Sequence, residues 1–232
     1  RIIQKFGASI IINNAEMASI CLVRTTWMVP KGQQRRFLLL ITAICRINAQ
    51  NNSTIENIIA RRSVKKYEDR PVPIELVEEV VKAGTYAPSG MNRQSPIILA
   101  VTNKEMRDRL SRINLEIVIG RNLKTSSGHN DPFYGAPVVL VVLAKKEVGT
   151  RIYDGSLVME NMMIAAQSLG LGTCWIHRAK ETFETEEGKQ ILQELGITGE
   201  YEGIGNCILG YASKDALKPQ SPRKDDYIVW IK

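Results

Sequence analysis

The sequence predicts a layered fold of the α/β or α+β class, in which helices cover both faces of a β-sheet. Helix-like and strand-like patterns alternate from residue 54 to the end of the 232-residue chain. Within them, "PVVLVVLA" (137–144) is continuously apolar, which is typical of a strand covered on both faces. The segment "DGSLVMENMMIAAQSLG" (154–170) is apolar almost all round, as expected for a central buried helix. The chain is long enough for one sizeable core, so we expect one domain.

The first two helices are predicted from their start and stop signals. Ser53 and Glu56 stand in capping-box spacing and predict a helix that runs to about Ala60. Pro73 predicts the start of a second helix, which carries an apolar stripe and ends near Gly84.

The segments that follow predict a strand, a capped helix and a loop. "IILAVT" (97–102) is typical of a buried strand, and Asn103 is placed to cap a helix over "KEMRDRLSRI" (104–113). Residues 116–134 show little periodicity, so we expect a mobile loop or lid there.

The last third of the chain completes the predicted sheet. "GTCWI" (172–176) indicates a short strand, "ETEEGKQILQELG" (184–196) a surface helix, and "GIGNCILGY" (203–211) another buried strand. The final "DYIVWI" (226–231) has a strand-like composition and is unusually apolar for a chain end.

The net charge of +7 is concentrated in the first 49 residues. They carry seven Lys/Arg and one acidic residue, a net of +6, whereas residues 50–232 carry 24 basic and 23 acidic residues, a net of +1. A nearly neutral body lacks the basic excess of a nucleic-acid-binding domain, so we expect no nucleic-acid partner. No apolar run reaches the roughly 18 residues of a membrane span.

Residues 1–49 are interpreted as an N-terminal extension that does not belong to the folded domain, which we expect to span residues 50–232. From residue 28, basic "MVPKGQQRR" is followed by apolar "FLLLITAIC" and by "RINA". This order is typical of a secretory signal peptide cleaved after Ala49, and the alternatives are a poorly ordered extension or an open reading frame that starts too far upstream. A signal peptide would export the protein to the periplasm, and without one we expect it in the cytoplasm.

Cysteines and histidines do not indicate a metal site. Cys174 and Cys207 lie in apolar strand-like runs, where cysteine is usually a small buried hydrophobe, and a disulfide between them stays open. His129 and His177 are the chain's two histidines, and no zinc-ligand spacing occurs. We therefore expect no metal.

A basic cluster, "RRSVKKY", follows the first predicted helix. It places two guanidinium groups, a hydroxyl and two ammonium groups within six residues, which suits a phosphate clamp. The alternative is a solvated helix end, because cations also favour a helix C-terminus. The candidate residues are Arg61, Arg62, Ser63, Lys65 and Lys66.

A second candidate site is the loop "YAPSGMNRQSP" (86–96), which is too polar for a plain connector. Pro88 and Gly90 predict a turn, while Ser89, Asn92 and Gln94 offer donors and acceptors. This set suits edge-on hydrogen bonding of a planar heterocycle, and a loop that satisfies its own backbone is the alternative.

Together these motifs resemble the nitroreductase family of FMN enzymes. The resemblance rests on Arg-Arg-Ser-x-Lys at 61–65, "APSGMNRQ" at 87–94, "AAQSLGLGTCWI" at 165–176, and "PR" at 222–223 before an apolar tail. The four motifs occur in the family's order and approximate spacing, and they cover residues 54–232.

The resemblance implies an α+β homodimer that is intertwined around a central mixed sheet, with helices on both faces and two FMN molecules at the subunit interface. It implies that FMN is held by a phosphate and pyrimidine clamp, by a loop that reaches the partner's flavin, and by a strand end against the isoalloxazine. These groups are Arg61, Arg62, Ser63, Lys65 and Arg223; Pro88, Ser89, Gly90, Asn92 and Gln94; and Trp175, Ile176 and His177.

In such a protein the flavin carries the chemistry, so no catalytic side chain is expected. NAD(P)H would reduce N5 of the flavin and leave, and a flat acceptor such as a nitroaromatic or quinone would then be reduced, in a ping-pong sequence. Lys65 is the candidate for stabilising the reduced flavin. The alternative is a flavin-binding protein without NAD(P)H turnover, such as a flavin store or a subunit reduced by another protein.

Two departures from the family pattern bear on acceptor choice. Ser95 interrupts the Gln-Pro pair that follows the polar loop. Ala179 and Lys180 stand where some relatives carry a glutamate near the flavin. The natural acceptor and the choice between NADH and NADPH therefore do not follow from the sequence.

Overall fold

The structure, a computed structural model, describes residues 53–121, 130–217 and 219–232. Residues 57–232 form one compact unit. The predicted extension at 1–49 and its signal peptide lie outside the described residues, so both stay predictions. Of the helices in the described ranges, none combines enough length with enough apolar character to span a bilayer.

Six α-helices and four strands make up the described chain, with 3₁₀ turns at Gly90–Asn92 and Asp225–Tyr227. In chain order they are α1 (Ser53–Ala60), α2 (Ile74–Thr85), β1 (Pro96–Val101), α3 (Lys104–Gly120), β2 (Val138–Lys145), α4 (Arg151–Ser168), β3 (Gly172–Ile176), α5 (Ala179–Glu184), α6 (Glu186–Glu194) and β4 (Tyr201–Gly210).

The four strands form one sheet in the order β1-β2-β4-β3, and each neighbouring pair is antiparallel. An isolated parallel bridge joins Ser63 to Thr173 of β3, but Ser63 lies outside the four strands, so the sheet in the described chain is antiparallel and not the expected mixed sheet. Strand β2 is buried from Val138 to Ala144, as its unbroken apolar run predicts. The α+β arrangement of a helix-covered sheet is confirmed.

Helices pack on both faces of the sheet and form two apolar clusters. On one face, β2 side chains such as Val141 meet α3, α5 and α6. On the other face, Leu140 and its neighbours meet α2 and α4. The predicted central helix is α4, whose Met162 and Met163 are buried in this second cluster. These methionines fill the core.

Two local predictions are wrong, the first of them at residues 116–120, and one short helix was not predicted. Helix α3 begins at the predicted cap, where Asn103 Oδ1 accepts from Met106 N at 2.9 Å, but it continues to Gly120 through residues predicted as loop. Its buried face includes the polar residues Arg107, Ser111 and Asn114, which hide the apolar period. Helix α5 had no periodic signal because it is only six residues long.

The second wrong prediction concerns the tail. After the 3₁₀ turn at Asp225–Tyr227, residues 228–232 form no strand, and Trp230 is 77% exposed. Apolar composition favours burial, but a strand also requires a neighbouring strand edge, and the tail pairs with none of the strands described in this chain.

Candidate functional site

The two arginines after α1 have different surroundings. Arg62 turns back on its own helix, where Nη1 donates to the carbonyl oxygens of Ile59 (2.7 Å), Ala60 (2.9 Å) and Arg61 (2.9 Å). Arg62 therefore caps the C-terminus of α1, which is the alternative to a phosphate clamp, because those carbonyls have no partner within the helix. Arg61 remains partly exposed, and its Nε lies 3.9 Å from a carboxylate oxygen of Glu160 on α4. That distance is too long for a strong contact, so Arg61 can reach a ligand.

Ser63 and Lys65 lie on one exposed face beside β3. Between them Val64 is buried, and its N–H donates to the carbonyl of Thr173 at 2.8 Å. Successive side chains of an extended segment point to opposite sides, so Ser63 and Lys65 lie on the side opposite Val64, where both are exposed. Gly172 allows the close approach, since a Cβ there would lie 2.7 Å from Val64 Cγ2.

The two cysteines near this segment are free and buried. Cys174 faces the cluster that contains α3, whereas Cys207 faces the cluster that contains α4, so the sheet separates their side chains and the disulfide left open above does not form. Burial raises the pKa of the Cys174 thiol, partly offset by the charge of Lys65, and it raises the pKa of Cys207 to about 12. Neither thiol has the lowered pKa of a reactive cysteine.

The polar loop between α2 and β1 satisfies much of its own backbone. Ser89 Oγ accepts from Gln94 N at 2.9 Å, and Gln94 Nε2 donates to Asn92 Oδ1 at 3.1 Å. Yet Met91, Asn92 and Gln94 all have a left-handed backbone, with φ of 52°, 54° and 49°. Three such residues within four positions cost free energy that a plain connector would avoid, and strain of this kind clusters at ligand sites. Pro88, Asn92 and Gln94 are exposed.

Asp154, in the first turn of α4, holds this loop in place. Its Oδ1 accepts from Gly90 N at 3.0 Å, and its Oδ2 accepts from Thr150 Oγ1 at 2.8 Å. The carboxylate is part of a residue only 3% exposed. Gly90 is required at the contact, because a Cβ there would lie 2.4 Å from Thr150 Oγ1. Sequence reasoning missed Asp154, whose only signal is an acidic residue at the start of an apolar helix.

The end of β3 presents Trp175, Ile176 and His177. The Trp175 indole lies over Gly205, where a Cβ would meet ring atom Cε2 at 2.7 Å. The indole Nε1 is buried without a hydrogen-bond partner among the described residues. The ring of His177 stands edge-on to the indole, with 6.5 Å between ring centroids, and its side chain is exposed.

Two buried asparagines fix this strand end. The carbonyl oxygen of His177 accepts from Asn114 Nδ2 at 2.8 Å and from Asn206 Nδ2 at 3.2 Å. Asn206 also donates to the carbonyl of Ile176 at 3.3 Å. The next residue, Arg178, has a φ of +80°, which turns the chain sharply away from the strand. Both lone pairs of the His177 carbonyl are thus occupied within the chain. The sequence signal for these residues was weak, because Asn114 is one polar residue among many on α3 and Asn206 is a single amide inside an apolar strand.

The structure links these segments through α4 and β3. Arg61 approaches α4 at Glu160, Asp154 ties the 86–96 loop to the same helix, and Ser63 pairs with β3, which ends at His177. Arg223 is different, since it is exposed after β4 and its side chain makes no hydrogen bond or ion pair within the described ranges. Its place in a phosphate clamp stays a prediction.

The donor set fits a phosphorylated planar ligand. One exposed stretch combines a guanidinium, a hydroxyl and an ammonium group, which are the usual partners of phosphate. A strained polar loop and an aromatic strand end are tied to the same scaffold. No set of His, Cys, Asp and Glu side chains suited to a metal ion occurs in the part of the chain that the structure describes.

Relatives of known sequence match most of this domain. Proteins from Methanothermobacter thermautotrophicus and Archaeoglobus fulgidus are 31% and 29% identical over 125 and 161 residues, which cover 52% and 68% of this chain. The match spans 59% of the first relative's length and 84% of the second's. An "FMN reductase [NAD(P)H]" from Bacillus subtilis is 22% identical over 196 residues, 75% of this chain and 72% of its own length.

Solved structures show the same fold. A nitroreductase with bound FMN from Bacteroides fragilis has a TM-score of 0.69 at 29% identity, and one from Desulfitobacterium hafniense has a TM-score of 0.70 at 25% identity. Each comparison covers 78% of this chain and 100% of the solved chain. The family model described as "Nitroreductase family" matches residues 58–211. On this match, and on the site built from its residues, the chain belongs to the nitroreductase family.

Proposed function

We propose that this chain is an FMN-dependent oxidoreductase that passes reducing equivalents from NAD(P)H, through N5 of the flavin, to a flat acceptor such as a nitroaromatic or quinone, in ping-pong order. The coarser statement follows from family membership: the chain is an oxidoreductase enzyme, with FMN as its cofactor and NAD(P)H as its reductant. The observation that carries the finer proposal is the bridge from Ser63 to Thr173, which places the basic stretch directly beside the strand that ends at His177.

The basic stretch would bind the phosphate end of FMN. Arg61 and Ser63 supply a guanidinium and a hydroxyl that are accessible in this structure, and Lys65 adds a positive charge on the same face. Arg62 would contribute only after leaving the carbonyls at the end of α1. We therefore assign the main contacts to Arg61, Ser63 and Lys65, and keep Arg62 as a helix-terminating residue that can also donate to the cofactor.

The strand end and Lys65 would orient the ring and adjust its chemistry. Bound FMN supplies two-electron hydride chemistry that no side chain of the protein can perform. The rigid Trp175–His177 end, held by Asn114 and Asn206, offers a fixed surface for a flat ring. A positive charge from Lys65 near the ring favours its reduced, more negative form, because electrostatic stabilisation acts where charge develops.

We further propose that the site is completed by a second copy of the chain in an isologous homodimer. The described chain exposes large apolar side chains on α1, on α4 and along its tail, which a monomer would leave in contact with water. The 88–94 loop would then reach the flavin held mainly by the partner. The exposed apolar residues are Ile58, Ile59, Ile152, Tyr153, Leu157, Tyr227, Ile228, Val229, Trp230 and Ile231.

Anaerobic reduction tests the proposal. The purified protein is saturated with FMN, freed of excess, and titrated with NADH or NADPH while its visible absorption is followed. We expect one of the two nicotinamides to bleach the flavin band, and a nitroaromatic or quinone to restore it after the nicotinamide is exhausted. A protein that retains FMN but is bleached by neither nicotinamide is instead a flavin-binding protein that does not turn over NAD(P)H.

A further inference from the structure

Tyr134 has an unusual backbone conformation for a bulky residue. Its φ is +54°, and the following Gly135 has a φ of +73°. Left-handed conformations are common for glycine, but a large side chain adopts them only when its surroundings enforce them. Tyr134 lies just before β2, and its ring is packed against the edge of the α3-side cluster.

The enforcing group is the carboxylate of Asp131. It accepts from Phe133 N at 2.9 Å and from Gly135 N at 2.7 Å, so it holds the backbone on both sides of Tyr134. Ser111 Oγ donates to it at 2.6 Å, and Arg107 forms an ion pair with it.

The same arginine extends the support beyond the turn. Arg107 is buried on α3, and its Nε donates to the carbonyl of Ala136 at 3.1 Å. The turn from Asp131 to Ala136 is therefore bound to α3 at several points. This network fixes the backbone that carries Tyr134, and packing against the α3-side cluster limits where its ring can lie.

The ring of Tyr134 meets the basic stretch. The Nζ atom of Lys65 lies 5.3 Å from the ring centroid, which is within the range of a cation–π contact. The backbone of Lys65 is fixed nearby, because the preceding Val64 bonds to β3. A lysine ammonium sits on a flexible four-carbon chain and can occupy many positions. An aromatic ring that attracts the ammonium reduces the number of positions that the charge occupies.

We propose that Tyr134 is a positioning residue that holds the ammonium of Lys65 over the flavin-binding face and thereby raises the reduction potential of bound FMN. The inference rests on the proposed function, since it requires FMN beside Lys65. Holding the charge in place favours reduced FMN over oxidised FMN, because the reduced form is the more negative. Asp131 acts indirectly, because its hydrogen bonds hold the backbone that carries the Tyr134 ring.

The test compares two substitutions at one position. Tyr134→Asn removes the ring while keeping the backbone, because asparagine tolerates the left-handed region better than other non-glycine residues. Tyr134→Phe keeps the ring face and is the matched control. Tyr134→Gly serves if the asparagine variant folds poorly. The readouts are the midpoint potential of bound FMN, measured against a reference dye, and the dissociation constant of oxidised FMN.

We expect Tyr134→Asn to weaken reduced FMN relative to oxidised FMN by three- to tenfold, which for a two-electron couple lowers the potential by about 14–30 mV. Tyr134→Phe should leave the potential unchanged. Lys65→Gln should lower it at least as much as Tyr134→Asn, and adding Tyr134→Asn to Lys65→Gln should lower it no further, because both act through one charge.

A second measurement examines the contact without flavin. Reductive methylation with ¹³C-formaldehyde labels the lysines, and the signal missing from Lys65→Gln identifies Lys65. We expect a ring-current shift of that signal in the wild-type protein and in Tyr134→Phe, and its loss in Tyr134→Asn.

The outcomes separate the two proposals. If Lys65→Gln lowers the potential while Tyr134→Asn leaves it at the wild-type value, Lys65 acts without Tyr134 and the positioning role is overturned. An unchanged Lys65 signal in Tyr134→Asn overturns it as well. A purely structural role would lower the thermal stability of Tyr134→Asn without moving the potential. If the wild-type protein binds no FMN, the proposed function fails, and this inference fails with it.

Discussion

Replacing Asp154 by alanine should release the strained loop at residues 86–96. The carboxylate holds Gly90 N and the Thr150 hydroxyl, and it is almost fully buried. Asp154→Ala removes both acceptor oxygens at once. The loop would then keep three residues in left-handed conformations without the contact that anchors it to α4.

The expected loss of stability follows from those two hydrogen bonds. A hydrogen bond to a charged group contributes about 1.5–3 kcal/mol, and a buried donor left without an acceptor costs about 1–3 kcal/mol. The hydroxyl of Thr150 can rotate toward another partner, whereas the N–H of Gly90 cannot. We therefore expect Asp154→Ala to lower the free energy of unfolding by about 2–4 kcal/mol. Asp154→Asn keeps one acceptor oxygen for Gly90 and should lose about 1 kcal/mol.

Urea unfolding and FMN titration measure the two consequences. A lower midpoint with an unchanged slope would report stability alone. If the substitution makes the binding-competent conformation of the loop about 1.4 kcal/mol less favourable than the other conformations, only about a tenth of the molecules can bind FMN. The apparent affinity for FMN then falls about tenfold. Ser156→Ala is the matched control on the same helix, since its hydroxyl donates to Ile152 O within α4.

Two results would refute this reasoning. One is an Asp154→Ala protein whose stability lies within about 0.5 kcal/mol of wild type, the range of ordinary surface substitutions. The other is a destabilised Asp154→Ala protein with unchanged FMN affinity, which would separate the loop from the cofactor site.

Four further predictions concern the clamp, the strand end, acid stability and the tail. Arg61→Ala and Arg223→Ala should each weaken FMN tenfold or more, because a charge-assisted phosphate contact contributes about 1.5–3 kcal/mol, with fluorescence titration as the measurement. Asn114→Ala removes the α3 amide that donates to the His177 carbonyl at the end of β3, and it should cost about 0.5–1.5 kcal/mol in urea unfolding, because Asn206 still donates to that carbonyl. Burial raises the pKa of Asp131, but the hydrogen bonds around it outweigh burial and hold the pKa below its usual value. Its stabilising contribution is therefore complete above about pH 4 and is lost as pH falls through the folded-state pKa, and this part of the acid dependence should vanish in Asp131→Asn. Deleting residues 227–232 should give monomeric or insoluble protein with little FMN, as judged by sedimentation and absorbance.

Each of these has a clear contrary result. Full flavin loading of both arginine variants would remove them from the clamp. An Asn114→Ala protein as stable as wild type would mean that the hydrogen bond from Asn206 alone is enough to hold the His177 carbonyl. Identical acid unfolding of wild type and Asp131→Asn would mean that other carboxylates govern acid stability. A soluble, flavin-loaded monomer after tail deletion would rule out both the role of the tail and a site shared between two chains.

Elements with local signals could be predicted from the amino-acid sequence. The unbroken apolar run of β2, the nearly all-apolar α4 and the Asn103 cap each depend on residues within a few positions of one another. Such patterns reflect the repeat of a helix or a strand, so they can be read before any tertiary contact is known. The order and approximate spacing of the four motifs at 61–65, 87–94, 165–176 and 222–223 likewise sufficed for the resemblance to the family.

Contacts between residues far apart in the chain became visible only in the folded structure. Asp154 and Gly90 are 64 residues apart, and Asn114 and His177 are 63 apart, yet each pair shares a buried hydrogen bond. No local period marks such residues, because their polarity is satisfied only when two elements pack together.

The same reason explains the predictions that the structure corrected. The polar buried face of α3 hid its length, and the apolar tail has the composition of a strand but pairs with none of the strands described in this chain. Arg62 matched the clamp motif, yet its guanidinium binds the carbonyls at the end of α1. Residue type establishes what a side chain can bind, but the partner it meets is set by packing, because hydrogen bonds and burial depend on which surfaces the folded chain brings together.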